Sequence, residues 1–177
     1  MQNIRFLAIA ACLLISSTNA ARAQPLAQDR VGWLLEQLHN PQSDHVMIVA
    51  HRGDWRHAPE NSLRAIQNCI DMGVDVIEID LRRTADGHFV VIHDKTLDRT
   101  TTGSGHVTHH TLSQIQELFL TNGYGVATEQ RVPTLEQAIT LTRGKALLYL
   151  DKSQGLINQI VPKLNAVGGT RGVLFYG

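Results

Sequence analysis

An α/β fold with a largely parallel sheet is predicted by three features of the 177-residue chain. Short apolar runs rich in β-branched residues recur at residues 46–50, 74–81, 89–93, 146–150 and 172–176. Segments with apolar residues at helical spacing lie between most of them, and strand–helix alternation of this kind implies parallel strands with helical crossovers. Finally, histidines and carboxylates stand at or near the ends of the apolar runs, where parallel α/β sheets build their sites.

Residues 24–44 form a polar lead-in with a short helix expected over 31–38, where Trp33, Leu34 and Leu38 make an apolar stripe; Asn40-Pro41 then marks a turn. The run 46–50 is continuous and apolar, as expected of a buried parallel strand. Asn61-Ser62 offers a helix N-cap, and Leu63, Ile66, Ile70 and Met72 follow at helical spacing up to Gly73. The strands 74–81 and 89–93 are joined through Asp86-Gly87, a tight-turn pair. A Thr/Gly-rich loop covers 98–111. Helices are expected over 113–118, from Thr134 as cap to Leu141, and over 156–164, the last opposed by Pro162. The final strand is 172–176.

Composition sets bounds on function. Hydrophobic residues make up 43% and charged residues 18%, ordinary values for a folded domain. Sixteen basic and sixteen acidic residues cancel, which removes the electrostatic argument for a nucleic-acid partner. Residues 1–23 read as an export signal: Arg5, an apolar stretch over 6–15, and Ala21-Arg22-Ala23 as cleavage site. That stretch is shorter than the roughly 20 residues of a membrane span. A periplasmic or secreted protein follows from this, with a lipoprotein anchored at Cys12 as the lesser alternative. Cleavage leaves Cys69 as the remaining cysteine, read as a small core residue on its helix.

Glu78 and Asp80 alternate within one strand and so share a face. Two carboxylates among Val, Ile and Leu are costly unless paired or bound to a metal, and oxygen ligands suit Ca2+ or Mg2+. The plain alternative has them facing solvent or pairing with Arg82 or Arg83. His51 and His93 lie at strand exits, and imidazole titrates where it can both take and give a proton. Arg52 is a planar cation suited to phosphate oxygens, or to a salt bridge with Asp54 or Glu60. His106, His109 and His110 read as a solvated loop.

The site placement favours an eight-stranded TIM-type (β/α) barrel, whereas the length falls short of the roughly 250 residues such a barrel takes. The reading that joins the two is an incomplete barrel, about five of eight strands, over residues 45–177.

In order, His51-Arg52-Gly53, Pro59-Glu60-Asn61-Ser62, Glu78-x-Asp80, Asp86-Gly87, Val91-Ile92-His93-Asp94 and Leu97-Asp98-Arg99-Thr100-Thr101 resemble the glycerophosphodiester phosphodiesterase family. The resemblance implies hydrolysis of glycerophosphodiesters to glycerol 3-phosphate and an alcohol. It implies His51 and His93 as the acid–base pair, Arg52 as phosphate clamp, and Glu78 and Asp80 as metal ligands. The family's metal-binding glutamate, with a lysine two residues on, is replaced by Asp151-Lys152. Asp151 then stands as third carboxylate and Lys152 as substrate-binding residue, although adjacency should turn Lys152 to the opposite face. Two alternatives remain: a lipid phosphodiesterase of the lysophospholipase D or sphingomyelinase D type, and an inactive fragment. An open sheet edge would also permit self-association.

Overall fold

The computed structural model describes residues 29–175; the export signal and its cleavage site lie outside the described residues. Four strands run parallel in the order β1 (Val49–His51), β2 (Val76–Arg83), β6 (Leu147–Asp151) and β7 (Val173–Phe175). Helices α2 (Leu63–Asp71), α4 (Leu135–Thr142) and α5 (Ile157–Ala166) cover the sheet. Their apolar faces meet it in one core that includes Ile66, Cys69, Ile77, Ile79, Leu135, Ile139, Leu148, Ile160 and Leu164. Cys69 is wholly buried, and burial raises its thiol to a pKa of about 11, as fits a packing residue. The first two of these helices start where the sequence places them. Ser62 and Thr134 accept from the backbone N–H groups of Ala65 and Gln137, and Gln137 completes a capping box.

Helix α1 (Arg30–His39) packs Val31 and Leu34 on Val76 and Leu147, the residues that open β2 and β6. It therefore closes the amino end of the sheet. Asp75, almost fully buried, ties that end together by accepting from Arg30 at 2.9 Å, His45 at 3.0 Å and the Ile48 amide at 3.0 Å. The carboxyl ends of the strands are left for chemistry.

Three expectations need correction, and a fourth is met in spite of a proline. Five strands do make up the main sheet, but β3 (Phe89–Val91) runs antiparallel to β2, pairing Leu81 with Val91 and Arg83 with Phe89. It is the return arm of a hairpin turned at Asp86-Gly87, so four strands rather than five belong to the parallel path. The first strand is shorter than expected and not buried: Val46, Ile48 and Val49 are exposed, because β1 pairs with β2 alone. That edge is where association between copies would form, and concentration-dependent mass in sedimentation would report it. The helix expected over 156–164 is present as α5 and runs on through Pro162, with Ile160 and Leu164 anchoring it to the core on either side of the proline. Finally, a second hairpin, β4 (Phe119–Thr121) with β5 (Ala127–Arg131), stands where no strand is expected. Asn122 accepts from the amides of Tyr124 and Val126 at its turn, and the Arg131 guanidinium covers the Phe119 ring at 3.6 Å.

Candidate active site

Register builds the site. Parallel pairing sets His51 of β1 opposite Glu78 of β2, and Asp80 of β2 opposite Asp151 of β6. Alternation along β2 puts Glu78 and Asp80 on one face, so three carboxylates from two adjacent strands converge at the carboxyl end of the sheet. One oxygen from each of Glu78, Asp80 and Asp151 lies within 4.8 Å of the others. Neither Arg82 nor Arg83 pairs with them in the ion pairs of the described residues. Arg82 instead forks onto the carbonyls of His93 (2.6 Å) and Asp94 (3.2 Å).

Asp80 is completely buried and the most connected of the three. The Asn61 amide donates to its Oδ2 at 2.9 Å while the Asp80 backbone N–H donates back to Asn61 Oδ1 at 3.1 Å. Arg52 Nε approaches the same oxygen at 3.5 Å, and the Lys152 ammonium bonds to Oδ1. Glu78 accepts from the Arg52 backbone N–H at 2.7 Å. Burial, reinforced by the neighbouring charge of Asp80, pushes the Glu78 carboxyl up to about 7. The Lys152 ammonium holds Asp151 below the ordinary carboxylate range.

Lys152 corrects the sequence reading. Strict alternation would send it away from Asp151, yet its ammonium bonds to both Asp80 and Asp151, the latter at 2.9 Å. The cause is a backbone φ of 57°, which ends β6 in a left-handed kink and cancels the alternation. Arg52 (59°) and Asn61 (61°) are the other non-glycine residues with positive φ among the described residues. All three touch Asp80, so the strained backbone of the fold is gathered around one carboxylate. Gly53, next to Arg52, has φ 72° and a place where a Cβ would sit 2.9 Å from the Ala65 Cβ; the first motif needs glycine there so that α2 can approach.

The histidines arrive by different routes. His51 ends β1 and is largely exposed, its Nε2 4.0 Å from Glu78 Oε2. His93 does not follow a parallel strand, as the sequence reading had it. The β2–β3 hairpin doubles back until the Ile92 amide bonds to the Asp80 carbonyl at 3.0 Å, which delivers His93 to the same end. Its Nδ1–H donates to Asp94 Oδ1 at 2.6 Å, leaving Nε2 free. Arg52 does pair with Glu60, at 3.0 Å, and not with Asp54, which accepts from His57 and Asn68. The histidines of the 106–110 loop join no metal-sized group among the described residues.

Sequence reasoning missed Asn61, Asp94 and Arg99. The sequence offers Asn61 with Ser62 as a cap, but Ser62 alone caps α2 and Asn61 braces Asp80. Arg99 donates to both Asp94 and Glu60. The signal for it was the Leu97-Asp98-Arg99 motif itself, which carries a cation with no apolar role.

A parallel α/β sheet with histidines, cations and a carboxylate triad at its strand exits is the arrangement of the α/β barrel class. The chain belongs to the glycerophosphoryl diester phosphodiesterase family, whose profile matches residues 51–168. It is 42% identical over 103 residues to the glycerophosphodiester phosphodiesterase of Caldanaerobacter subterraneus, covering 58% of this chain and 42% of that protein. A mouse relative, glycerophosphodiester phosphodiesterase 1, is 40% identical over 100 residues, 55% of this chain and 30% of its own. The crystal structure of a glycerophosphoryl diester phosphodiesterase from Parabacteroides distasonis superposes with a TM-score of 0.73 at 32% identity, over 82% of this chain and 51% of that one. A phosphodiesterase from Oleispira antarctica, in complex with the product sn-glycerol-3-phosphate, superposes with a TM-score of 0.59 at 27% identity, over 73% and 56% of the two chains. The chain thus spans under half the length of the first two relatives.

Proposed function

We propose that this protein hydrolyses glycerophosphodiesters to sn-glycerol 3-phosphate and an alcohol, using a divalent cation, Ca2+ or Mg2+, held by Glu78, Asp80 and Asp151. The observation that carries the reading is the convergence of these three carboxylates with His51, His93, Arg52 and Lys152 at one end of the sheet, inside the family-matched segment. The donor set fits a hard cation: it is all oxygen and two of its three members are buried. The raised Glu78 carboxyl is further support: burial first, and then the neighbouring Asp80 charge, disfavour its ionised form, which a bound cation would restore. A bound cation would supply charge neutralisation for the phosphate in the transition state.

The chain's own residues divide the remaining work. Arg52 and Lys152 hold the phosphate oxygens. One imidazole takes the proton from the attacking oxygen, water or the substrate's neighbouring hydroxyl, as its bond to phosphorus forms. The other gives a proton to the alcohol oxygen as the phosphorus–oxygen bond breaks. For His93, donation to Asp94 fixes the ring so that Nε2 is the atom that exchanges the proton.

The test is hydrolysis of glycerophosphocholine by the full chain with Ca2+, with Mg2+ and with a chelator. Turnover that depends on the metal is expected. No turnover from a folded, metal-supplied sample would refute the reading, and turnover indifferent to the chelator would remove the cation from it. A lipid phosphodiesterase is the second reading, favoured by a cleft of about 580 Å³ walled by Trp55 and Tyr124. Faster release of choline from lysophosphatidylcholine than from glycerophosphocholine would select it.

Thermal shifts give an independent view of the cation. Glu78 titrates in the folded protein at about 7, above its ordinary 4.5, so the metal-free fold is favoured as pH falls through that interval. A cation needs the ionised form. The rise in Tm on adding metal is therefore expected to be largest above pH 7 and to fade below it; a rise that grows toward pH 5 would contradict this. Export is proposed as well, and the mass of the mature protein, beginning at Gln24, would establish it.

A further inference from the structure

The geometry points to Arg99 as a positioning residue that ties the phosphate-binding Arg52 to His93 through two carboxylates. This rests on the hydrolytic reading above. Arg52 Nη1 donates to Glu60 Oε1 at 3.0 Å, and Glu60 accepts in turn from Arg99 Nη2 at 2.8 Å and Nη1 at 2.9 Å. The other side of the same guanidinium, Nε and Nη2, donates to Asp94 Oδ2 at 2.7 Å and Oδ1 at 3.0 Å. Asp94 Oδ1 holds His93 Nδ1–H at 2.6 Å. Five charged or ionisable side chains therefore run unbroken from one functional group to the other.

The relay joins two segments far apart in sequence. Arg52 and Glu60 belong to the loop between β1 and α2; His93, Asp94 and Arg99 follow β3, and Arg99 lies 39 residues beyond Glu60. Both ends are fixed to the scaffold: the Arg52 amide to Glu78, and the His93 and Asp94 carbonyls to the Arg82 fork. What those anchors leave free is side-chain rotation, and that is what Glu60 and Asp94 remove. A guanidinium can present two bidentate edges in one plane, whereas a lysine ammonium cannot. Burial alone would raise Glu60, but Arg99 and then Arg52 outweigh it and keep the carboxyl below its ordinary range, so the link is ionic. Arg99 is about half exposed, and an isolated pair this exposed adds little to stability, so the consequence of the relay is alignment.

Glu60 makes the test decisive in sign. As an anion near the phosphate position it should, by charge alone, weaken phosphate binding, and its removal should strengthen it. The relay requires the reverse. In the full chain, Arg99→Ala and Glu60→Ala are each expected to lower kcat for glycerophosphocholine about 100-fold, the scale of a small misplacement. Both are also expected to weaken binding of inorganic phosphate, measured by calorimetry, about tenfold. The double variant should be no worse than the worse single one, with the melting temperature nearly unchanged. Arg99→Lys should stay impaired, and added guanidinium should restore part of the Arg99→Ala activity. Tighter phosphate binding by Glu60→Ala, additive losses in the double variant, or full activity in Arg99→Lys would overturn the relay. If the wild-type chain binds phosphate but turns over no substrate, the hydrolytic reading fails and the phosphate arm alone judges the relay. Absence of phosphate binding by the folded wild-type chain overturns it too.

Discussion

Replacing His51 or His93 with alanine is expected to slow glycerophosphocholine hydrolysis by a factor of about 10² to 10⁴, the range that proton transfer in the transition state contributes. KM should move little, because neither ring is placed as a phosphate clamp. The two variants should differ in what accompanies the loss. His51 is largely exposed at the end of an edge strand, and its Nε2 is 4.0 Å from Glu78, beyond hydrogen-bond range. Its removal leaves no buried group without a partner, so the melting temperature should stay within a degree or two of wild type. His93 is held by Asp94, and its loss leaves Asp94 with the Arg99 guanidinium alone. The double variant should be little slower than the slower single one if both rings serve one proton-transfer sequence. Near-normal kcat in both single variants would remove the acid–base assignment.

Much of this arrangement is legible in the sequence. The 74–81 run, apolar but for its acidic residues, reads as a strand, and β2 is one, buried along most of its length. The Ser62 and Thr134 caps follow from local chemistry that tertiary structure did not override. Adjacency of Glu78 and Asp80 on one face needs nothing but strand geometry. What was not legible depended on backbone exceptions and on polar strands. Period-2 alternation assigns Lys152 to the wrong face, and a single left-handed residue undoes it. Direction is invisible in an apolar run, so residues 89–93 read as another parallel strand although Asp86-Gly87 marks a hairpin turn. The β4–β5 hairpin escaped because Ala-Thr-Glu-Gln-Arg lacks an apolar face, while Asn122-Gly123, a strong turn pair, was there to be read. Asn61, and the link from Arg99 to Glu60, were missed for a related reason: those partners lie 19 and 39 residues away, and no local pattern encodes such distances.

Asp80→Ala should carry the largest penalty of any single change at the site, in stability and in activity at once. The carboxylate is wholly enclosed and satisfies Asn61, Lys152 and the nearby Arg52 guanidinium. Buried Arg52 Nε has no hydrogen-bond partner and lies 3.5 Å from Asp80 Oδ2, so removing Asp80 strips it of that counter-charge. Breaking a buried charge cluster by deleting one partner costs about 3 to 5 kcal/mol, because the opposite charge is left behind in a poorly solvating place. Asp80→Asn separates the two roles. It keeps the shape and one acceptor oxygen, so only one of the bonds from Asn61 and Lys152 survives and the amide NH2 faces the other donor; it should lose less stability than alanine does, and it removes a negative ligand from the carboxylate triad. Urea denaturation and calcium titration of the two variants give the comparison. A stable alanine variant would mean that Arg52 and Lys152 find other partners. An asparagine variant with wild-type metal dependence would mean that Glu78 and Asp151 suffice to hold the cation. If instead the alanine variant loses the most stability along with its turnover, while the asparagine variant keeps more of its stability but still loses turnover, Asp80 is both the counter-charge that lets three strained residues persist and a ligand the chemistry needs.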